Sequence, residues 1–340
     1  VHVLRNENAG MEYSVMWNLS INAEYLCAED MVIAITNLTE ITFINTSTGR
    51  IIHTLNTGFT ITCTPLCISN KIVLASDNIL IMILLPEYEI ITITQPWEIL
   101  GLAAADDRLL VYGAHHVWWN DTQEMFYTNE TILGVACHNN VYVVAEHSVY
   151  VLDFNFNIIE MLQFPSGIDA WNSSTDALVV ISNNMLYCHG NNTWNMSFGE
   201  AIIVSPVLAQ YIYVLTYNGT LYALDYDGNV VWNAMLDGHF SWDFGMVMGN
   251  LSIVAEEGTV YILDPYSGMV YETHEIAVPE RQPYYDKHFL LIPAHVLMLF
   301  SIPGDLVLEL SADEGLSLQI MNHGIWWYEA RVRVWLHDGI

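Results

Sequence analysis

Basic residues are the scarcest component of this chain. Only 8 of 340 residues are Lys or Arg, against 38 Asp and Glu, so the formal net charge is −30 at pH 7. A surface so acidic repels nucleic acid and anionic membranes, which excludes nucleic-acid binding. Long apolar runs are missing too. No stretch of eighteen apolar residues occurs, which excludes a spanning helix, and the longest run, Ile79 to Pro86, has the length of a buried strand. The first ten residues, VHVLRNENAG, lack the basic and apolar regions of a signal peptide, so a secreted protein would be represented here by its mature form. Catalytic signatures are absent as well: no nucleophile elbow, phosphate loop, His-Glu-x-x-His helix, Ser/His/Asp triad or Cys-x-x-Cys-His haem site.

What is abundant is apolar residues, at 53% of the chain, enough for a large core and incompatible with disorder. Charged residues make up only 14%, so the acidity comes from lost basic groups rather than added carboxylates. That balance, with plentiful Asn, Thr, Tyr and Ile, fits a surface facing acid. Near pH 3 most carboxylates are protonated and the 13 His leave a modest positive charge. Ten Asn-x-Ser/Thr sequons, at Asn18, Asn37, Asn45, Asn120, Asn129, Asn172, Asn191, Asn195, Asn218 and Asn250, compare with about three expected by chance. They predict a glycosylated extracellular or cell-surface protein.

The apolar residues recur in a fixed pattern. Runs starting at Met31, Lys71, Arg108, Val141, Leu178, Tyr211, Leu251, Phe289 and Ile325 are spaced by 33 to 40 residues. Each follows a small-residue strand such as EYLCA or LGVAC and forms a hairpin with a third strand, as in YIYVL-TYNG-TLYALD. A polar turn then leads to a fourth strand: STG-RIIHTL, YDG-NVVWNAML, YSG-MVYETHEI and PGD-LVLELS. Gly219 suits the hairpin turn, and Gly49, Gly228 and Gly268 suit the outer turns, because each of these turns needs positive φ. Four antiparallel strands repeated radially make an all-β propeller, read here as one domain spanning residues 1–340. Counting repeats gives nine blades, or eight if one unit is misread. The SVMWNLS segment from Ser14 matches NVVWNAML from Asn229, so residues 13–20 are expected to supply the outer strand of the last blade and close the ring.

The phrases LYALDYDGNVVW and VYILDPYSGMVY, and more loosely ITFINTSTGRIIHT, resemble the repeat of the pyrroloquinoline-quinone-like propellers. That family contains quinoprotein alcohol dehydrogenases and non-enzymatic relatives such as the outer-membrane-protein assembly lipoprotein. The enzymes use adjacent cysteines beside the quinone, a calcium ion and an Asp base. Cys27, Cys63, Cys67, Cys137 and Cys188 include no adjacent pair, so the resemblance implies the non-enzymatic branch, with no cofactor and no catalytic residues. Asp106-Asp107, Glu256-Glu257 and Asp243 are the carboxylates that could hold calcium in the enzymatic alternative.

Cys27, Cys67 and Cys137 share one inner-strand position and read as small packing residues, although a Cys27–Cys67 or Cys63–Cys67 disulfide would suit an extracellular protein. His115-His116 falls at a hairpin turn and reads as structural rather than as a metal pair. Trp118-Trp119 and Trp326-Trp327 alternate faces, so one of each pair should pack against a neighbouring blade, while an exposed one would support a carbohydrate-binding reading. Trp17 and Trp232 share a repeat position and read as blade packing. Together these features predict a non-enzymatic glycoprotein from a thermophilic, acid-living archaeon. It would bind proteins, itself included, in an S-layer, a filament or a virion.

Overall fold

The computed structural model describes residues 14–19, 25–29, 32–37, 39–276 (save 46, 47, 69, 106, 107, 123, 191, 203 and 248), 279, 283–285, 290–292 and 297–301. These residues form thirty-two strands in eight four-stranded antiparallel sheets. Blades 1 to 7 each use four consecutive strands, within 25–56, 66–94, 101–127, 132–163, 170–197, 207–235 and 245–275. The first eight apolar runs of the sequence are the second strands of the eight blades.

Blade 8 is composite. Its strands Tyr284–Tyr285, Leu290–Ile292 and Leu297–Ser301 are completed by Ser14–Leu19, which pairs antiparallel with Leu297–Ser301. An N-terminal strand therefore does complete a C-terminal blade, but at the repeat starting at Phe289 rather than the one at Ile325. The sequence reading had given this ladder position to LVLELS after the Pro303-Gly304-Asp305 turn. Both LVLELS and SVMWNLS have the alternation of a fourth strand, and local pattern alone cannot rank two candidates for one edge. LVLELS and the ninth repeat at Ile325 lie outside the described residues, where eight blades are counted.

The blades stack because their middle strands are apolar on both faces. In blade 4, Val141–Ala145 is buried throughout. Val141 and Val143 pack with blade 3 residues Leu110 and Trp119, whereas Tyr142 and Val144 pack with Leu178 and Val180 of blade 5. Period-two alternation thus serves two interfaces at once. Each fully buried Val or Leu is worth about 1.5–3 kcal/mol, and blades 2 to 7 repeat the buried second strand. Inner strands carry small residues where neighbours come closest: a Cβ on Gly134 would stand 2.5 Å from the Trp171 ring of blade 5. The inner strand read from IVSPVLA is shorter than expected, reduced to Val207–Leu208.

Candidate functional site

The turns between third and outer strands are built by side chains. The Asp225 carboxylate accepts hydrogen bonds from the backbone N–H groups of Asp227 (3.0 Å) and Asn229 (2.8 Å) and from Asn229 Nδ2 (2.9 Å). Asp153 does the same with Asn155 and Asn157 in blade 4. Donation to the charged form, led by the Asn side chain in each case, holds both carboxyls below their ordinary range. Gly49, Gly228 and Gly268 all adopt positive φ, as their turns require.

These turns receive tryptophans from the preceding blade. Trp194 of blade 5 donates from Nε1 to the Tyr226 carbonyl (2.8 Å), and Trp232 of blade 6 donates to the Pro265 carbonyl (3.0 Å). Each ring lies on a turn glycine. A Cβ on Gly228 would stand 2.8 Å from Trp194, and one on Gly268 would stand 2.5 Å from Trp232. Trp119 of blade 3 donates to the Phe154 carbonyl (3.1 Å) and stacks on Phe154 and Phe156. Glycine therefore does two jobs at one position, positive φ and a flat seat for the next indole. Apart from noting that Trp17 and Trp232 share a position, sequence reasoning missed this device; a signal, Asp-x-x-Gly followed four residues later by Trp, stands only at Asp225, Gly228 and Trp232.

The remaining expected site residues are distributed as follows. Trp118 is 7% exposed and Trp119 is fully buried, in opposite inter-blade cores, so the alternation holds and neither indole is a platform for sugar. The Trp118 part of the carbohydrate reading is overturned; Trp326 and Trp327 lie outside the described residues. His115 lies in the turn with Nδ1 2.9 Å from the Glu130 carbonyl, and His116 stacks on Trp97. Asp243 accepts from the Ser205 N–H, and Glu257 pairs with His239 at 2.6 Å. Asp106 and Asp107 lie outside the described residues. Among those described, no three His, Cys, Asp or Glu side chains converge on one point.

Cys63, Cys137 and Cys188 are buried free thiols, so the Cys63–Cys67 bridge is not made. Burial pushes the Cys63 and Cys188 thiols up to about 11 and the Cys137 thiol up to about 12, leaving them protonated and unreactive at neutral pH. The small-packing reading holds for Cys137, whose side chain joins the core between blades 3 and 4. The side chain of Cys27 is outside the description.

Among the sequons, Asn129, Asn195 and Asn218 are exposed. Asn45 and Asn120 are half-buried at strand ends, and half-buried Asn172 donates from Nδ2 to the Pro206 carbonyl (2.8 Å). Asn250 is only 5% exposed within Asn250–Val254, so it has no room for a glycan in the folded protein and is removed from the candidates. The side chains of Asn18, Asn37 and Asn191 lie outside the description.

The outer rim is the unexpected surface. In the strands that edge blades 1, 4, 6 and 7, an exposed apolar pair follows the outer turn. Ile51-Ile52, Ile158-Ile159 and Val230-Val231 are exposed, joined by Val270-Tyr271 in blade 7, and each pair sits at a β-bulge in the outer ladder. None of the eight edge strands contains Lys, Arg or Pro, which often guard sheet edges, although five of the outer ladders carry a β-bulge. Two adjacent β-branched residues immediately after a turn were the legible sign.

Eight four-stranded sheets, joined in chain order and packed face to face, define a β-propeller. The sequence matches no family model and no curated protein. Solved structures do match. BamB from Moraxella catarrhalis aligns with a TM-score of 0.68 at 11% identity, covering 85% of this chain and all of that one. The computationally designed protein Ika8 gives 0.66 at 11%, over 85% of this chain and 98% of its own. Sqt1 from Saccharomyces cerevisiae gives 0.65 at 10%, over 86% and 98%. At such identities the likeness establishes the propeller fold.

Proposed function

We propose that the chain is a non-enzymatic interaction propeller of the pyrroloquinoline-quinone-like repeat type, its ring closed by the N-terminal strand. Its place would be a glycosylated extracellular assembly: an S-layer, a filament or a virion. The observation that carries this reading is the exposed apolar rim, whose edge strands lack Lys, Arg and Pro and are blunted only by β-bulges in blades 1, 4, 6, 7 and 8. Exposed apolar edge strands are an aggregation hazard unless a partner covers them, and here they recur from blade to blade. The exposed sequons and the scarcity of basic residues favour an outer surface, and the loss of carboxylate charge in acid would relieve repulsion between copies.

The test is the native mass of protein taken gently from its source. A higher-order complex carrying hexose-spaced heterogeneity is the expected result. A single unmodified copy at all concentrations would sink the assembly reading. A single copy with the added mass of a quinone and calcium would make the protein an enzyme instead.

A further inference from the structure

We infer that the outer strand of blade 2, Glu89–Thr94, pairs antiparallel with the same strand of a second copy across a two-fold axis, joining two blades into one continuous sheet. This rests on the self-associating scaffold reading and names its contact. Among the described residues, blade 2 has the one outer strand that is both long and regular. Its six residues pair with Ile79–Leu84 without a break, from Ile79↔Thr94 to Leu84↔Glu89. The outer ladders of blades 1, 4, 6, 7 and 8 are interrupted by β-bulges, which turn an edge away from an incoming strand. The outer strands of blades 3 and 5 are only three and four residues long, and the one in blade 5 carries the exposed sequon at Asn195.

The backbone fixes the register. Gln95 donates its N–H to the Asn78 carbonyl (2.7 Å), so its main-chain groups face inward. By alternation Ile93, Ile91 and Glu89 face inward too, while Ile90, Thr92 and Thr94 present their N–H and C=O groups outward. A partner strand centred on Thr92 sets Thr92 against its own counterpart and Ile90 against Thr94 of the second copy. Every outward group then meets an outward group. A slip of two residues in one direction sets Thr94 against Tyr88, which is not extended (φ 58°); in the other it sets Ile90 against Pro96, which has no N–H. The strand is therefore complementary to itself in one register.

Side chains favour the same register. On one face Thr92 meets Thr92 and Ile90 meets Thr94; on the other Ile91 meets Ile93 and Glu89 meets Gln95, whose amide can donate to the carboxylate. Glu89 is the only charged residue of the strand, and this pairing holds its two copies at opposite ends, about 20 Å apart. Exposed Met125 and Tyr127 of blade 3 extend the Ile91 face. They pair with Trp118 and His116, and Trp118 packs into the same cleft as Ile93 of blade 2. A two-fold axis normal to the sheet brings both of these apolar margins to one side. A strand from another protein would match the backbone equally; the fit of faces, ends and charges to their own image selects a second copy. Such a contact is isologous and closes at the dimer. One strand pair with its margins stands at the low end of specific interfaces, below about 1,200 Å², so the dimer should be weak and reversible.

The test is sedimentation velocity of the full chain over a concentration series, in about 0.5 M salt to screen the net charge of −30. Wild type should pass from monomer to dimer as concentration rises. Thr92→Pro removes an N–H that makes no ladder bond within the chain, so it should weaken the dimer at least about ten-fold while keeping the wild-type circular dichroism spectrum. Under mild oxidation Thr92→Cys should give a disulfide-linked dimer, because residue 92 faces its own counterpart. Thr94→Cys, set opposite Ile90, should stay unlinked, as should wild type. If Thr92→Pro unfolds the chain, the two cysteine variants decide. A dimer that is not linked at residue 92, or is linked as readily at residue 94, would overturn the inference while leaving another self-association surface standing. A wild-type chain that stays monomeric throughout would overturn it too. A complex with other proteins in the source material would then still support the broader scaffold reading.

Discussion

The clefts between blades and the outer rim are made from the same residue types, yet they have opposite fates. Val141–Ala145 and Ile158–Gln163 belong to one sheet of blade 4; the first is buried throughout, and the second exposes two isoleucines and a methionine. The cleft residues alternate cleanly between two neighbours, and their burial explains them. Those that follow the outer turns of blades 1, 4, 6 and 7 fall in pairs at β-bulges and stay exposed. The apolar residues of the clefts serve the core, and those exposed on the rim do not. Substitutions in the two regions should separate stability from association.

The largest expected effect tests the composite blade. Deleting residues 1–20 removes Ser14–Leu19 from its ladder with Leu297–Ser301 and bares the edge of blade 8. Loss of a whole strand should cost about 5 kcal/mol or more and lower the melting temperature by roughly 10 °C or more. An unchanged melting temperature would show that another segment takes that place, with LVLELS the first to examine.

Next come the tryptophans that join the cleft to the turns. Trp119 is fully buried, stacks on Phe154 and Phe156 and donates to the Phe154 carbonyl. Trp119→Ala should cost about 3–5 kcal/mol in chemical denaturation. At the Trp232 joint the ring is only half-buried, and Trp232→Phe keeps much of the stacking while losing the bond to Pro265. About 1 kcal/mol is expected there. Equal losses at the two sites would mean that the hydrogen bond, not burial, holds the blades together. On the rim, Ile159→Lys should change stability by no more than about 0.5 kcal/mol. A large loss would make the rim part of the core and erase the contrast.

Much of this architecture was legible in the sequence. The 33-to-40-residue period marked the second strands, which in blades 2 to 7 are buried on both faces and so remain apolar whatever their neighbours. Glycines at the outer turns were legible for an equally local reason, positive φ. The ownership of blade 8 was not, because SVMWNLS and LVLELS carry the same alternation and the choice depends on which strand reaches Leu297–Ser301. The seating of Trp194 on Gly228 and Trp232 on Gly268 was also hidden, since each contact joins residues more than thirty positions apart. The burial of Asn250 escaped the sequon motif because the motif records chemistry and not exposure.

The smallest effect belongs to a polar joint at the surface. His239, just after the outer strand of blade 6, pairs with Glu257 in the hairpin turn of blade 7 at 2.6 Å. The Glu257 hydrogen bond raises His239 from its ordinary 6.5, and the His239 side chain holds Glu257 below its ordinary 4.5. The raised His contributes fully below about pH 6.5 and loses its contribution as pH rises through its folded value. The lowered Glu contributes above about pH 4.5 and loses its contribution as pH falls through its folded value. The pair therefore supports the fold most between those limits. The melting-temperature difference between wild type and Glu257→Gln should peak near about pH 5.5, fade towards pH 3 and pH 9, and shrink in about 1 M salt. Both side chains are about half exposed or more, so the peak should stay within a few degrees. A difference that persisted at pH 9 would mean that Glu257 acts through its bond from the His239 backbone N–H rather than through the charged ring. The contrast between apolar clefts and polar surface joints would then rest on hydrogen bonding alone.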